Sequence, residues 1–117
     1  MTYKNLQFKL DNDADIDHTS FAGLLDENLD LVIQTFDAGP GFPMEIDSGY
    51  ENESWTFVLA DNESMVFNCY RRWGQMRVSC RQNARHLVDD FKAWLLVAGI
   101  EKVLKKSLIE SKKEVLA

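Results

Sequence analysis

The sequence predicts an α+β fold: an antiparallel sheet with helix packed on one of its faces. Three observations carry this. Residues 55–81 alternate apolar and polar through two short turns, residues 20–36 repeat apolar side chains at helical spacing, and the last third carries an apolar helical stripe. A chain of 117 residues is expected to form one domain over 1–117, long enough to bury roughly 65% of its unfolded surface without staples.

Tyr3 to Leu10 places Leu6, Phe8 and Leu10 on one side and Gln7 and Lys9 on the other, as a half-buried strand does. Residues 11–20 are almost entirely polar and read as a loop ending in a helix cap, with Thr19 or Ser20 accepting from the first free amides. The set Phe21, Leu24, Leu25, Leu29, Val32, Ile33 and Phe36 then predicts a helix over 20–36. Residues 29–36 also fit a strand, because Leu29, Leu31 and Ile33 alternate and Val, Ile and Phe favour sheets. Gly39, Pro40, Gly41 and Pro43 end that element and open a long loop with a short strand expected near Met44 to Asp47.

The middle of the chain predicts a three- to four-stranded meander. Trp55, Phe57 and Leu59, then Met65, Phe67 and Cys69, then Met76, Val78 and Cys80 fall on one face. A two-residue loop at Trp73-Gly74 pairs Arg72 with Gln75, Tyr70 with Arg77, Asn68 with Ser79, Cys69 with Val78 and Phe67 with Cys80. A three-residue loop at 61–63 pairs Leu59 with Met65, Phe57 with Phe67 and Trp55 with Cys69. A slip of one residue at either turn would mix the two faces, so this register is strongly specified.

Asn83 is placed to cap a C-terminal helix whose stripe is Leu87, Phe91, Trp94, Leu95 and Ala98. Beyond Gly99, a second stripe of Ile100, Val103, Leu104 and Leu108 is offset by about half a turn at ~100° per residue. Either Gly99 kinks the helix or the second stripe covers something else, such as another subunit. The expected core is Trp55, Phe57, Leu59, Phe67, Val78, Leu87, Phe91, Trp94 and Leu95.

Charge is sorted by sequence half. Residues 1–64 hold fourteen acids against Lys4 and Lys9, whereas residues 65–117 hold eleven bases against five acids, within a formal net charge of −6. The acid excess argues against nucleic acid and anionic membrane as partners. Residues 1–10 have no apolar run of signal length, and Ala93 to Ile100 is far short of the ~20 residues of a membrane span, so a reducing cytoplasm is the expected location. In the register above, Cys69 and Cys80 lie diagonally with Cβ atoms ~7 Å apart, where a disulfide wants ~3.8 Å. They read as core residues.

Asp11, Asn12, Asp13 and Asp15 open like a calcium loop, but Ile16 stands where the sharp turn needs Gly and Ala22 where a bidentate Glu is needed. His18, His86, Cys69 and Cys80 lack the spacing of a zinc site. Asp47-Ser48-Gly49 has no evident histidine base, and the glycines at 39 and 41 do not precede a capped helix. No cofactor, metal ion or catalytic residue is therefore expected, and the chain reads as a non-enzyme.

Two surfaces remain. Glu45, Asp47, Glu51 and Glu53 surround Phe42 and Tyr50 on the Gly/Pro-rich loop, an aromatic anchor in a charged rim suited to a basic protein partner. Tyr70, Arg72, Trp73, Arg77 and Arg81 form the alternative, an Arg/aromatic hairpin of the kind that binds single-stranded nucleic acid; these arginines also have many acids in the same chain to pair with. The favoured expectation is a small acidic protein-binding module of the inhibitor or immunity type, neutralising a basic toxin or nuclease. A homodimer through the C-terminal helix is compatible with either surface.

Overall fold

Hydrogen bonding joins five strands into one antiparallel path, in the order β1 (Phe8–Leu10), β4 (Tyr50–Leu59), β5 (Asn62–Arg72), β6 (Gln75–Arg81) and β2 (Thr19–Leu24). A two-residue β3 (Gly39–Pro40) also pairs with β4, α1 spans Glu27–Ile33 and α2 spans Val88–Leu116. A computed structural model describes the backbone of residues 6–40 and 50–116, and the side chains of 6–39, 53–106 and 108. The α+β architecture, with the C-terminal helix on one face of the sheet, is the one the sequence predicts; the strand expected near Met44 lies outside the described residues.

The β5–β6 register is the predicted one from Phe67↔Cys80 through Arg72↔Gln75. Trp73 and Gly74 form its two-residue turn with φ of 50° and 75°, both in the left-handed region that a tight hairpin requires. The β4–β5 register matches at Trp55↔Cys69 and Phe57↔Phe67 but not at the loop: Leu59 pairs with Asn62, not Met65. Asn62 causes the difference. Its Oδ1 accepts from Ser64 N at 3.1 Å and Ser64 Oγ at 2.6 Å, a local turn that bulges the start of β5.

The largest correction falls on residues 20–36. Thr19–Leu24 is a strand, paired with β6 from Thr19↔Arg81 to Leu24↔Arg77 with a bulge between Phe21 and Gly23. The helix begins only at Glu27, capped by Asp26, whose carboxylate accepts from Leu29 N at 2.9 Å. Thr19 and Ser20 cannot cap it because both are paired into the strand, and Asp26 puts a charged acceptor at the positive helix end. The strand alternative for 29–36 is excluded as well, since Leu29, Val32 and Ile33 are the buried side of α1.

Asn83 does not cap the C-terminal helix. A 3-10 segment, Gln82–Leu87, precedes α2, and the Asn83 amide donates to Ser64 Oγ at 3.3 Å. Nor does Gly99 break the helix: α2 runs unbroken through it. Glycine is required there because a Cβ would overlap Val32 Cβ and lie 3.2 Å from the Val32 carbonyl, so it brings α1 and α2 together.

The core lies between the sheet and these helices. Phe57, Phe67, Phe91 and Leu95 are fully buried, and Phe8, Phe36 and Trp94 complete an aromatic cluster. Phe67 stacks on Phe91 at 4.7 Å between centroids, and Phe8 meets both edge-on. The Trp55 indole donates to the Phe36 carbonyl at 3.1 Å, tying β4 to the chain after α1. The predicted core residues are all there, Trp94 being only partly covered.

The face turned away from the helices is also closed, by the segment joining β1 to β2. Leu10 pairs with Phe57, Phe57 with Phe67, Phe67 with Cys80 and Cys80 with Ser20. The connection therefore crosses four strand spacings, about 19 Å at ~4.8 Å each. It begins at Thr56, where Asp11 N donates to the carbonyl and Asn12 Oδ1 accepts from the amide. It ends at Arg81, whose guanidinium donates to the carbonyls of Asp15 at 2.7 Å and Asp17 at 3.3 Å. Arg81 alternates with core-facing Cys80, so this belt crosses the back of the sheet, where Val58, Val66 and Asn68 are fully buried.

Candidate functional site

One backbone pairing links the two segments singled out in the sequence: Tyr50 is the ladder partner of Arg72, beside the turn at the tip of the Arg/aromatic hairpin. Phe42, Glu45 and Asp47 lie outside the described residues, as do the side chains of Tyr50 and Glu51. Glu53 is exposed and pairs with Pro40 through the backbone.

The hairpin residues take three different positions. Trp73, at the turn, is 65% exposed, with the Arg72 guanidinium 4.0 Å over its ring. Tyr70 is only 7% exposed, and its hydroxyl accepts from Ser79 Oγ at 3.1 Å, so its ring has no open face for a base to stack on. Arg81 is occupied in holding the belt and lies 3.8 Å from the Asp15 carboxylate. Alternation along β5 and β6 turns Tyr70, Arg72, Arg77 and Arg81 to the back of the sheet.

Tyr70, Arg72 and Arg77 come together in a cleft of about 270 Å³, whose other walls are Thr19, Ser20, Phe21 and Ser79. Arg77 lies over Phe21 at 5.4 Å and donates from Nη2 to Gln75 at 3.1 Å, while its Nε–H is buried with no acceptor. Sequence reasoning missed Thr19, Ser20, Phe21 and Ser79. The first three read locally as a helix and its cap, and only pairing with β6 brings them here.

Charges from the two halves do meet. Arg71, on the helix side, donates to both carboxylate oxygens of Asp30 on α1, at 2.8 and 2.5 Å. That bond holds the Asp30 carboxyl below its ordinary range, against the opposing effect of partial burial. The belt contributes a different surface: Asp13, Asp15 and Asp17 stand exposed along it. Two short turns shape it, Asp11 Oδ1 accepting from Asp13 N and Asp15 Oδ1 from Asp17 N.

Cys69 and Cys80 are buried free thiols, and burial pushes both upward, Cys69 strongly. They are poor nucleophiles in this state. Among the described residues, no group of three or more His, Cys, Asp and Glu side chains is arranged to hold a metal ion, and no helix is long and apolar enough to cross a membrane. Compared with protein-family models, curated proteins and solved structures, the chain matches none.

Proposed function

We propose that this chain is a small non-enzymatic protein-binding module, of the inhibitor or immunity type, that neutralises a basic partner such as a toxin or nuclease from a reducing cytoplasm. The observation that carries the reading is the belt. It spreads Asp13, Asp15 and Asp17 over the back of the sheet, and among the described residues Arg81 of the basic half holds it from below. Exposed carboxylates of this kind steer a cationic protein and speed its association at low salt. Residues Phe42, Glu45, Asp47, Tyr50, Glu51 and Glu53 are the proposed contact loop, an aromatic anchor with an acidic rim.

Capture from native extract tests this. A basic protein should be recovered at low salt, released as salt rises, and lost on neutralising Glu45, Asp47, Glu51 and Glu53 together. Capture indifferent to salt and to those changes would refute the reading. The nucleic-acid alternative is less well supported, because Arg81 and Tyr70 are engaged inside the fold.

A second reading, self-association, has its own observation. Leu96, Val97, Ile100, Val103, Leu104 and Leu108 are all exposed on α2. Val97, Ile100, Leu104 and Leu108 follow one another at intervals of three, four and four, which is the spacing of a helix–helix seam. A second copy of α2 supplies a matching stripe.

A further inference from the structure

We propose that two copies of the chain pair through α2 in antiparallel orientation, with Glu101 of each copy against Lys105 of the other. This direction rests on the self-association already read from α2 and goes beyond it. Val88, Phe91 and Leu95 turn one face of α2 to the sheet, and Gly99 brings the same side against Val32. The line of Val97, Ile100, Leu104 and Leu108 runs along the opposite side and is exposed throughout, so a second helix reaches it without meeting the body of the first copy.

The two flanks of that line differ in chemistry. At ~100° per residue, Leu96 and Val103 border it on one flank and Glu101 and Lys105 on the other, and all four are exposed. Antiparallel helices related by a two-fold axis bring like flank to like flank. Leu96 and Val103 then meet their counterparts and widen the apolar contact. With the pair centred between Ile100 and Leu104, Glu101 of each copy lies about 3 Å along the axis from Lys105 of the other, at 1.5 Å per residue. That contact occurs twice in the dimer.

A parallel pair fits less well on three counts. It lays the charged flank of one helix against the apolar flank of the other, so that Glu101 and Lys105 face Leu96 and Val103. It also sets Asp90, which stands nearly in line with Val97 two turns earlier, beside its own counterpart, carboxylate against carboxylate. Finally, it holds two bodies of formal net charge −6 at the same level. The antiparallel pair sets them at opposite ends, where they repel each other less.

The test is a pulsed electron–electron resonance distance between spin labels on Asp89→Cys, in the full chain at a concentration where sedimentation shows the dimer. Asp89 is exposed, and the unsubstituted chain gives the background from the buried Cys69 and Cys80. The antiparallel pair should hold the labels about 40 Å apart along the helices, at 1.5 Å per residue. A parallel pair would hold them within about 20 Å, on helices packed about 10 Å apart. Glu101→Lys and Lys105→Glu should each loosen the dimer about fivefold, and an equal mixture of the two variants should pair more tightly than either alone. A short distance within a dimer would overturn the direction and leave self-association standing. A dimer indifferent to both charge changes would overturn the Glu101–Lys105 contact, and a monomer at every concentration would overturn self-association itself.

Discussion

Asp30 shows how one side chain can serve both halves of this chain. It lies in the first turn of α1, where a negative charge suits the helix end, and it accepts twice from Arg71 on β5. It also accepts from the Gln34 amide at 3.1 Å. The pair is about three-quarters buried, so it is screened less than a surface pair. Asp30→Asn should therefore cost about 1–2 kcal/mol near neutral pH, between the values for exposed and buried charged bonds. Because the folded carboxyl lies below its ordinary range, this contribution is present above the unfolded value of about 3.9 and disappears as pH falls through the folded one. Urea midpoints of parent and variant should differ at pH 7 and converge in strong acid. A constant difference would mean that packing, not the charge, is lost.

At the scale of elements, Gly99 is the sharpest case. Helix propensity alone says that Gly99→Ala stabilises α2 by up to about 1 kcal/mol. Packing says the opposite, since the new methyl would overlap Val32 where α1 crosses α2. Overpacking of this kind costs about 1–3 kcal/mol, so the substitution should lower the melting temperature. The loss should shrink in a Val32→Ala background, and an undiminished loss there would place its cause elsewhere. The glycine was visible in the sequence but its partner was not, which is why a kink was the natural expectation. The same divide runs through the rest of the fold. The β5–β6 hairpin was legible because period-two alternation and a two-residue turn are local signals. Strand β2 was not, because Phe21, Leu24 and Leu25 fall at helical spacing, and only pairing with β6, over fifty residues away, makes the segment a strand. The candidate cleft inherits this split: Tyr70, Arg72 and Arg77 could be read from the hairpin, whereas Thr19, Ser20 and Phe21 could not.

At the scale of the whole molecule, the body ends before its last helix does. Up to Gly99, α2 buries Val88, Phe91 and Leu95; beyond it, the described side chains from Ile100 to Leu108 are all exposed. The stretch from Ile100 to Leu116 extends about 25 Å at 1.5 Å per residue, and a lone helix of that length is only marginally stable in water. Among its described side chains, the exposed Ile100, Val103, Leu104 and Leu108 make solitude less favourable still. Pairing with α2 of a second copy would bury the seam of Val97, Ile100, Leu104 and Leu108, and it leaves the acidic belt on the other side of the sheet free for a basic partner. Sedimentation equilibrium should then show a monomer–dimer equilibrium that shifts with concentration. Leu104→Glu, which puts a charge in the middle of the seam, should move the chain to monomer and reduce its helical signal, with the melting of the sheet-centred core preserved. A parent that sediments as a monomer at every concentration, with its full helical signal, would show that the extension stands without a second copy.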